Sequence, residues 1–442
     1  MPPQASFTFP RGFLWGAATA AHQVEGQNHN NNWSRWEEEG HILYDHRSGL
    51  AADWWGGRWA EDFDRAVATG QNAHRLSIEW SRIQPEPERW DDDALDFYRQ
   101  MVSGLVERGL TPMVTLHHFT DPLWLYERGG WEDDETPQQF ARFVMKVVGA
   151  LKDYTNLWVT INEPNVYVQG GYLGGGFPPG KNDLATAFKV MHNLVRGHAY
   201  AYKAIHYLQP NARVGIAINY RGFQPARSWL PLDSVMAGIL SSNFNDAFNN
   251  SLVNGRLNFA FRTATIPEAV KTQDFIGLNY YTVDQVAFNL LKAQDLFHTR
   301  FYPSGALLSD TGFLANRPEG MFQGLRWANR YNLPIIVTEN GVEDQDDDLR
   351  PRYLVEHLHQ VWRALVASIP VKGYFHWSLV DNFEWERGWT QRFGLWGLDL
   401  DTQARIRRAS VDLYAGICKE NAITSELVEQ YTPQIYSQLF PG

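Results

Sequence analysis

Short apolar, β-rich runs recur along the chain at 13–20, 73–80, 112–117, 157–162, 213–219, 275–280, 334–338 and 371–378. Several are apolar nearly throughout, as in Pro334-Ile335-Ile336-Val337. A strand with apolar residues on both faces belongs to a sheet covered on both sides. Between these runs the apolar spacing lengthens to helical periods. Residues 93–108 place Leu95, Met101, Val102, Leu105 and Val106 on one side, and 137–154 do the same with Phe140, Phe143, Val144, Val147 and Leu151. Residues 354–369 read alike, and 184–208 form a longer helical pattern. Strand–helix alternation predicts parallel β/α units, and eight such units predict a closed barrel more readily than an open sheet. There is no Pro/Ser linker and no sharp shift in composition. The expectation is therefore an α/β fold: one (β/α)8 barrel (TIM barrel) over residues 1–442, with long loops after the strands. The Gly-rich stretch 170–176 lacks a Gly-Lys-Ser/Thr ending and runs into Pro178-Pro179-Gly180, so it reads as a loop and not a phosphate cradle.

Length alone points elsewhere, since ~100–200 residues per domain would suggest two or three domains in 442 residues. Barrels with insertions pass ~400 residues, which removes the conflict. The 44% hydrophobic content supplies a large core, and the net charge of −11 carries no long Lys/Arg run. A nucleic-acid or anionic-membrane partner is excluded on that ground. The acidic runs Glu37-Glu38-Glu39, Asp91-Asp92-Asp93 and Asp346-Asp347-Asp348 read as solvated loops or helix starts. Arg11 and the apolar stretch 13–18 imitate a signal peptide, but the stretch carries a single charge before it and leads straight into Gln23-Val24-Glu25-Gly26. No apolar run approaches the ~18 residues needed to span a bilayer. The single cysteine, Cys418, suits a reducing compartment, and the expectation is a cytoplasmic protein. No close Cys/His spacing or EF-hand loop is present, so neither a metal nor a cofactor is expected. Trp 18, Tyr 19 and Phe 25 make up 14% of the chain, enough for both a core and an aromatic pocket.

Barrel enzymes build their sites where strands end. Here the first run leads into His22, Gln23 and Glu25; the second carries Arg75 and ends at Glu79-Trp80; the third ends at His117-His118. The fourth ends at Asn162-Glu163-Pro164, the sixth at Asn279-Tyr280-Tyr281, the seventh at Glu339-Asn340-Gly341, and the eighth at Trp377, with 381–385 following. Two carboxylates at strand ends, Glu163 and Glu339, suit general acid and nucleophile work on a glycosidic bond. By position alone either is equally a salt-bridge partner for Arg75.

At these residues the chain resembles the retaining β-glycosidases of glycoside hydrolase family 1. The matching segments, in family order, are FLWGAATAAHQVEG (13–26), HRLSIEWSRIQP (74–85), TLHHFTDPLWL (115–125), WVTINEP (158–164), DFIGLNYY (274–281), IIVTENG (335–341) and HWSLVDNFEWERGW (376–389). The resemblance implies a (β/α)8 barrel with Glu163 as general acid/base and Glu339 as nucleophile, helped by Arg75, Tyr281 and Asn279. It implies that Gln23, His118, Asn162, Glu384 and Trp385 bond the sugar hydroxyls, with Asn162 at the 2-hydroxyl and Glu384 at the 4- and 6-hydroxyls. Trp377 would lie under the ring, with Phe119 and Phe393 beside it. Asn165 and Phe177 fall at the aglycone end. His117 reads as structural.

The chain departs from the family pattern in places. Phe119 stands where many relatives have Trp, which removes an indole donor near the 3-hydroxyl, and Glu386-Arg387-Gly388-Trp389 replaces the common Ala-Glu-Gly-Tyr. Phospho-sugar relatives carry Ser at the Glu384 position and Lys seven residues on, where this chain has Gln391. The expectation is a β-glucosidase with β-galactosidase and β-fucosidase activity on small β-glycosides and oligosaccharides. The alternative is predominantly a transglycosidase on the same site. Oligomeric state is not legible.

Overall fold

The computed structural model describes residues 5–292 and 296–441. Eight parallel strands form the centre: β1 (Leu14–Ala18), β2 (Ala73–Ser77), β3 (Thr111–His117), β4 (Leu157–Asn162), β5 (Arg213–Pro225), β6 (Phe275–Phe288), β7 (Ile335–Asn340) and β8 (Val371–Trp377). They pair in sequence order, β8 pairs with β1, and β5 with β6, so the sheet closes on itself. Closure leaves no edge among these strands, and every one is covered outside by helices, which is why their sequences are apolar on both faces.

The outer layer includes α1 (Asp92–Glu107), α2 (Thr136–Leu151), α3 (Leu184–Leu208), α4 (Pro318–Asn329) and α5 (Arg350–Val366). The acidic run at 91–93 is the start of α1: Asp91 accepts from the Ala94 amide at 2.8 Å, and Asp92 and Asp93 sit in the first turn, where the helix dipole favours negative charge. The inward stripe of α1 is Leu95, Tyr98, Met101, Val102 and Leu105; Val106, expected on that stripe, is 44% exposed. The other two acidic runs are not wholly solvated. Glu37 is buried 2.9 Å from His22, and Asp347 pairs with the buried Arg350 and accepts from the Ser410 amide at 2.7 Å.

Strand pairing fixes the height of the polar side chains. Asn219 is level with Asn279, Asn279 with Glu339, and Ala18 with both Arg75 and Trp377. The expected strands at 213–219 and 275–280 continue past the barrel rim as a paired extension, Gly222 opposite Val283 and Pro225 opposite Val286. A short strand, His298–Phe301, then adds antiparallel to the end of β6. The apolar stretch that imitates a signal peptide contains β1 itself. Among the described residues no helix is long and apolar enough to cross a membrane.

Leu105→Ala is expected to cost ~2–5 kcal/mol, because it empties a fully buried position, whereas Val106→Ala stays within ~0.5 kcal/mol. Urea midpoints of the two variants check this; equal losses would contradict the assigned face of α1.

Candidate active site

Short turns at the C-terminal rim of the barrel position the candidate residues. At the end of β4, Glu163 adopts a left-handed backbone (φ 44°) immediately before Pro164, which opens a short helix at its first position. Such a conformation costs roughly 1–3 kcal/mol and persists only where the surroundings impose it. Here the Glu163 amide donates to the Ala217 carbonyl at 2.7 Å, and its carbonyl accepts from the Tyr167 amide at 2.9 Å. At the end of β7, Gly341 follows Glu339-Asn340 because a Cβ there would lie 2.0 Å from the Trp377 carbonyl oxygen. Asn340 bolts the same turn, donating to the Tyr280 carbonyl at 2.6 Å and accepting from the Tyr374 hydroxyl at 2.9 Å. Phe119 (φ 70°) and Trp385 (φ 50°) are likewise left-handed, so strained residues gather at this rim.

Glu163 and Glu339 line one cavity of about 180 Å³ and are both buried. Their surroundings differ. Glu339 accepts from Arg75 Nη1 through Oε1 and from the Tyr281 hydroxyl through Oε2 at 2.7 Å. Arg75 has no exposed surface; its Nε donates to Thr115 and its Nη2 to Asn162 Oδ1 at 2.7 Å. Glu163 meets only neutral donors: Asn279 Nδ2 at 2.8 Å and Asn219 Nδ2 at 2.9 Å, both on Oε1. Burial, and then the charge of Glu339, push the Glu163 carboxyl up to about 8 against the pull of these amides and of Arg75. The cavity thus holds one carboxylate braced by a cation and a phenol, and one carboxyl whose surroundings favour the proton.

Around this pair stand further buried polar groups. Asn162 Nδ2 is 3.0 Å from His118 Nε2. Burial first, then Arg75 and His117, hold His118 well below the usual imidazole range, so the ring is neutral. With Nε2 accepting from the amide, the proton belongs on Nδ1, which is buried without a partner. Trp377 Nε1 donates to Glu384 Oε1 at 3.0 Å. Burial raises the Glu384 carboxyl well above its ordinary range, and the charges of Glu339, Glu386 and Glu343 add to this. Trp377 and Trp385 each lie nearly parallel to the His118 ring, at 6.0 and 5.9 Å.

Most of the expected residues reach the cavity wall: His118, Phe119, Asn162, Phe177, Tyr281, Trp377, Glu384, Trp385 and Phe393. Arg75 and Asn279 act from behind the carboxyls. Gln23 is fully buried; its Nε2 donates to the Phe383 carbonyl at 2.9 Å, and its Oε1 has no partner. Asn165 does not join this cavity. Its amide is committed to the Asn219 and Phe244 carbonyls at 2.7 and 3.0 Å, and it borders the neighbouring cavity instead. His117 pairs with Asp121 at 3.0 Å, outside the cavity. Asn219 was not anticipated, although it ends the fifth apolar run just as Asn162 ends the fourth.

Three carboxylates elsewhere, those of Asp310, Asp344 and Asp348, lie within 4.8 Å of one another, a grouping that the sequence spacing does not reveal. Asp344 already accepts from the Leu349 and Arg350 amides, which ties it to the start of α5.

The family model for Glycosyl hydrolase family 1 matches residues 5–423. The chain is 34% identical to Beta-glucosidase A of Thermotoga maritima, over 94% of this chain and 98% of that protein. It is 30% identical to the Beta-galactosidase of Pyrococcus woesei, over 96% and 99%. The solved structure of the beta-glycosidase from Pyrococcus horikoshii superposes with a TM-score of 0.91 at 36% identity, over 97% of this chain and 98% of that one.

Glu339→Gln is expected to lower the pKa of Glu163 from about 8, since a neighbouring negative charge disfavours ionisation, yet to leave it above the ordinary range because burial remains. Infrared titration of the carboxyl band in the variant measures this; an unchanged or higher value would contradict the coupling.

Proposed function

The chain belongs to glycosyl hydrolase family 1 and is a β-glucosidase of that family, and from this premise we propose how its residues divide the reaction. Glu339 attacks the anomeric carbon of a β-glycoside while Glu163 gives its proton to the departing oxygen, so a carboxylate–carbon bond forms as the glycosidic bond breaks. A water then loses its proton to Glu163 and adds to the same carbon. Glu339 is released, and the sugar leaves with its β-configuration retained. The observation that carries this reading is the asymmetry of the two carboxyls. Arg75 and Tyr281 brace Glu339, whereas Glu163, pushed up to about 8, holds a proton at neutral pH. In the covalent intermediate Glu339 no longer carries charge, one cause of the upward shift vanishes, and Glu163 becomes the base that the second step needs.

The non-reducing sugar lies over Trp377. Asn162 meets the 2-hydroxyl, His118 Nδ1–H and Gln23 Oε1 meet the 3-hydroxyl side, and Glu384 the 4- and 6-hydroxyls. Phe119, Trp385 and Phe393 close the ring pocket, and Phe177 flanks the leaving group. Small β-glucosides, β-galactosides and β-fucosides are the substrates, and hydroxyls of sugars or alcohols compete with water for the intermediate.

Glu339→Gln should lower kcat about a thousandfold or more on 4-nitrophenyl β-glucoside. Glu163→Ala should keep the burst of this activated leaving group, stall at the intermediate, and be rescued by azide as the β-glucosyl azide. Wild-type kcat/KM should fall above pH about 8, as the acid loses its proton. An active Glu339→Gln would remove the mechanism.

Glu384 is buried and donates or accepts but offers no positive charge to a phosphate. Turnover of 4-nitrophenyl 6-phospho-β-glucoside should therefore be at least about 100-fold below that of the glucoside. Equal rates would refute the role given to Glu384.

A further inference from the structure

The catalytic cavity shares two wall residues, Arg221 and Phe244, with a larger cavity of about 1050 Å³ that holds neither Glu163 nor Glu339. One part of its wall is the extension of β5 and β6 beyond the barrel, together with the strand His298–Phe301, and segments around Phe244 and Phe259 complete it. This wall is aromatic, with Phe223, Phe244, Phe259 and Phe301, and it carries one charged cluster. Arg221 from β5 grips Asp284 from β6 with two bonds, Nε to Oδ2 at 2.8 Å and Nη2 to Oδ1 at 2.7 Å. Arg300 from the added strand reaches the same carboxylate, at 3.4 Å.

Among the described residues two guanidiniums therefore face a single buried carboxylate, which leaves one positive charge over. Burial and the charge of Arg221 hold the Arg300 guanidinium below its usual range, the direction expected of a cation short of counter-charge. Asp284 is 3% exposed, so its charge is committed, while the side chains of Arg221 and Arg300 retain 27% and 40% of their surface. Among the described residues the other acid of the wall is Asp183, which is exposed and accepts from the Thr186 amide as the cap of α3, where solvent screens it. The other cation lining the catalytic cavity, Arg387, is already paired with Glu386 at 3.3 Å.

Position ties this cluster to the reaction. Asn219, which touches Glu163, lies two residues before Arg221 on the same strand, and Arg221 borders both cavities, so the cluster adjoins the catalytic site. A flat apolar body suits the phenylalanine wall, and a planar anion suits paired guanidiniums. A bare sugar offers neither. We propose that this second cavity receives the aglycone and selects aromatic leaving groups that carry a carboxylate, which Arg221 and Arg300 bind. The proposal rests on the glucosidase reading above and names the substrate class of its leaving-group side.

The test compares 4-(β-D-glucosyloxy)cinnamic acid with its methyl ester at pH 7, and repeats the pair in Arg300→Gln. The acid should exceed the ester in kcat/KM by about 5–10-fold in the wild type, carried by KM, and 1 M NaCl should narrow the ratio. In Arg300→Gln the ratio should approach one. An ester hydrolysed as well as the acid by the wild type overturns the proposal without need of any variant, and so does an acid preference that Arg300→Gln leaves intact. Turnover of 4-nitrophenyl β-glucoside, which has no acidic group, reports on Glu163 and Glu339 separately, so failure of the glucosidase reading is recognised as such.

Discussion

A guanidinium with no access to water organises the rim of this barrel. Burying a charge is tolerable only when counter-charge and hydrogen bonds replace its hydration. Arg75 obtains them from three other strands: Thr115 on β3, Asn162 on β4 and, from across the barrel, Glu339 on β7. Each partner is thereby fixed in place. Asn162, holding Arg75 with its oxygen, presents its nitrogen to His118 and decides which nitrogen of that ring keeps the proton. Glu339, supplying the negative charge, cannot turn away without leaving the cation unpaired. The position of Glu339 and the stability of the rim are the same constraint.

The difference between the two carboxyls follows from that arrangement. The cation bonds Glu339 directly and leaves Glu163 with amides. Asn279 connects the two halves, bonding both Asn162 and Glu163 while its own oxygen accepts from Thr338 at 2.6 Å. An amide orients a carboxyl without supplying charge, so Glu163 is held in place and still keeps its proton. A lysine in place of Asn279 would hold it as firmly and ionise it.

How much of this is legible in the sequence depends on whether a contact is local in the chain. Apolar runs locate all eight strands, because a closed parallel barrel demands side chains apolar on both faces. The rule that strand ends carry chemistry finds Glu163 and Glu339, and it would have found Asn219 if applied to the fifth run. The extensions of β5 and β6 escape, since beyond Asn219 and Tyr280 the chain leaves the covered barrel and the apolar run stops. Val106 was misassigned because a helical stripe is wider than its buried part. Glu37 escaped because its partners, His22 and Ser48, are brought to it only by folding. Asn165 looks accessible in sequence, yet its amide closes main-chain bonds that no spacing announces. The raised carboxyls of Glu163 and Glu384 are sums over burial and distant charges, and no motif encodes a sum.

The long extensions then explain why a barrel of this kind needs so many residues. The bond-breaking site is complete within the rim, where parallel pairing sets Asn219, Asn279 and Glu339 side by side. Beyond it β5 and β6 pair again from Gly222 and Val283 to Pro225 and Val286, after a register shift at Arg221, whose amide and carbonyl bond the Asn245 side chain while its guanidinium grips Asp284. Asp284, opposite Phe223, is placed more accurately than a side chain on a loop, because register leaves it no freedom along the strand. Ribbon residues from Gly222 and Val283 outward can change without moving Arg75, Glu163 or Glu339, since the side-chain bonds those three take from β5 and β6 come from Asn219, Asn279 and Tyr281 at the base of the ribbon. The chemistry is therefore insulated from the wall that meets the leaving group, and the same barrel can keep its reaction while its choice of aglycone is rewritten.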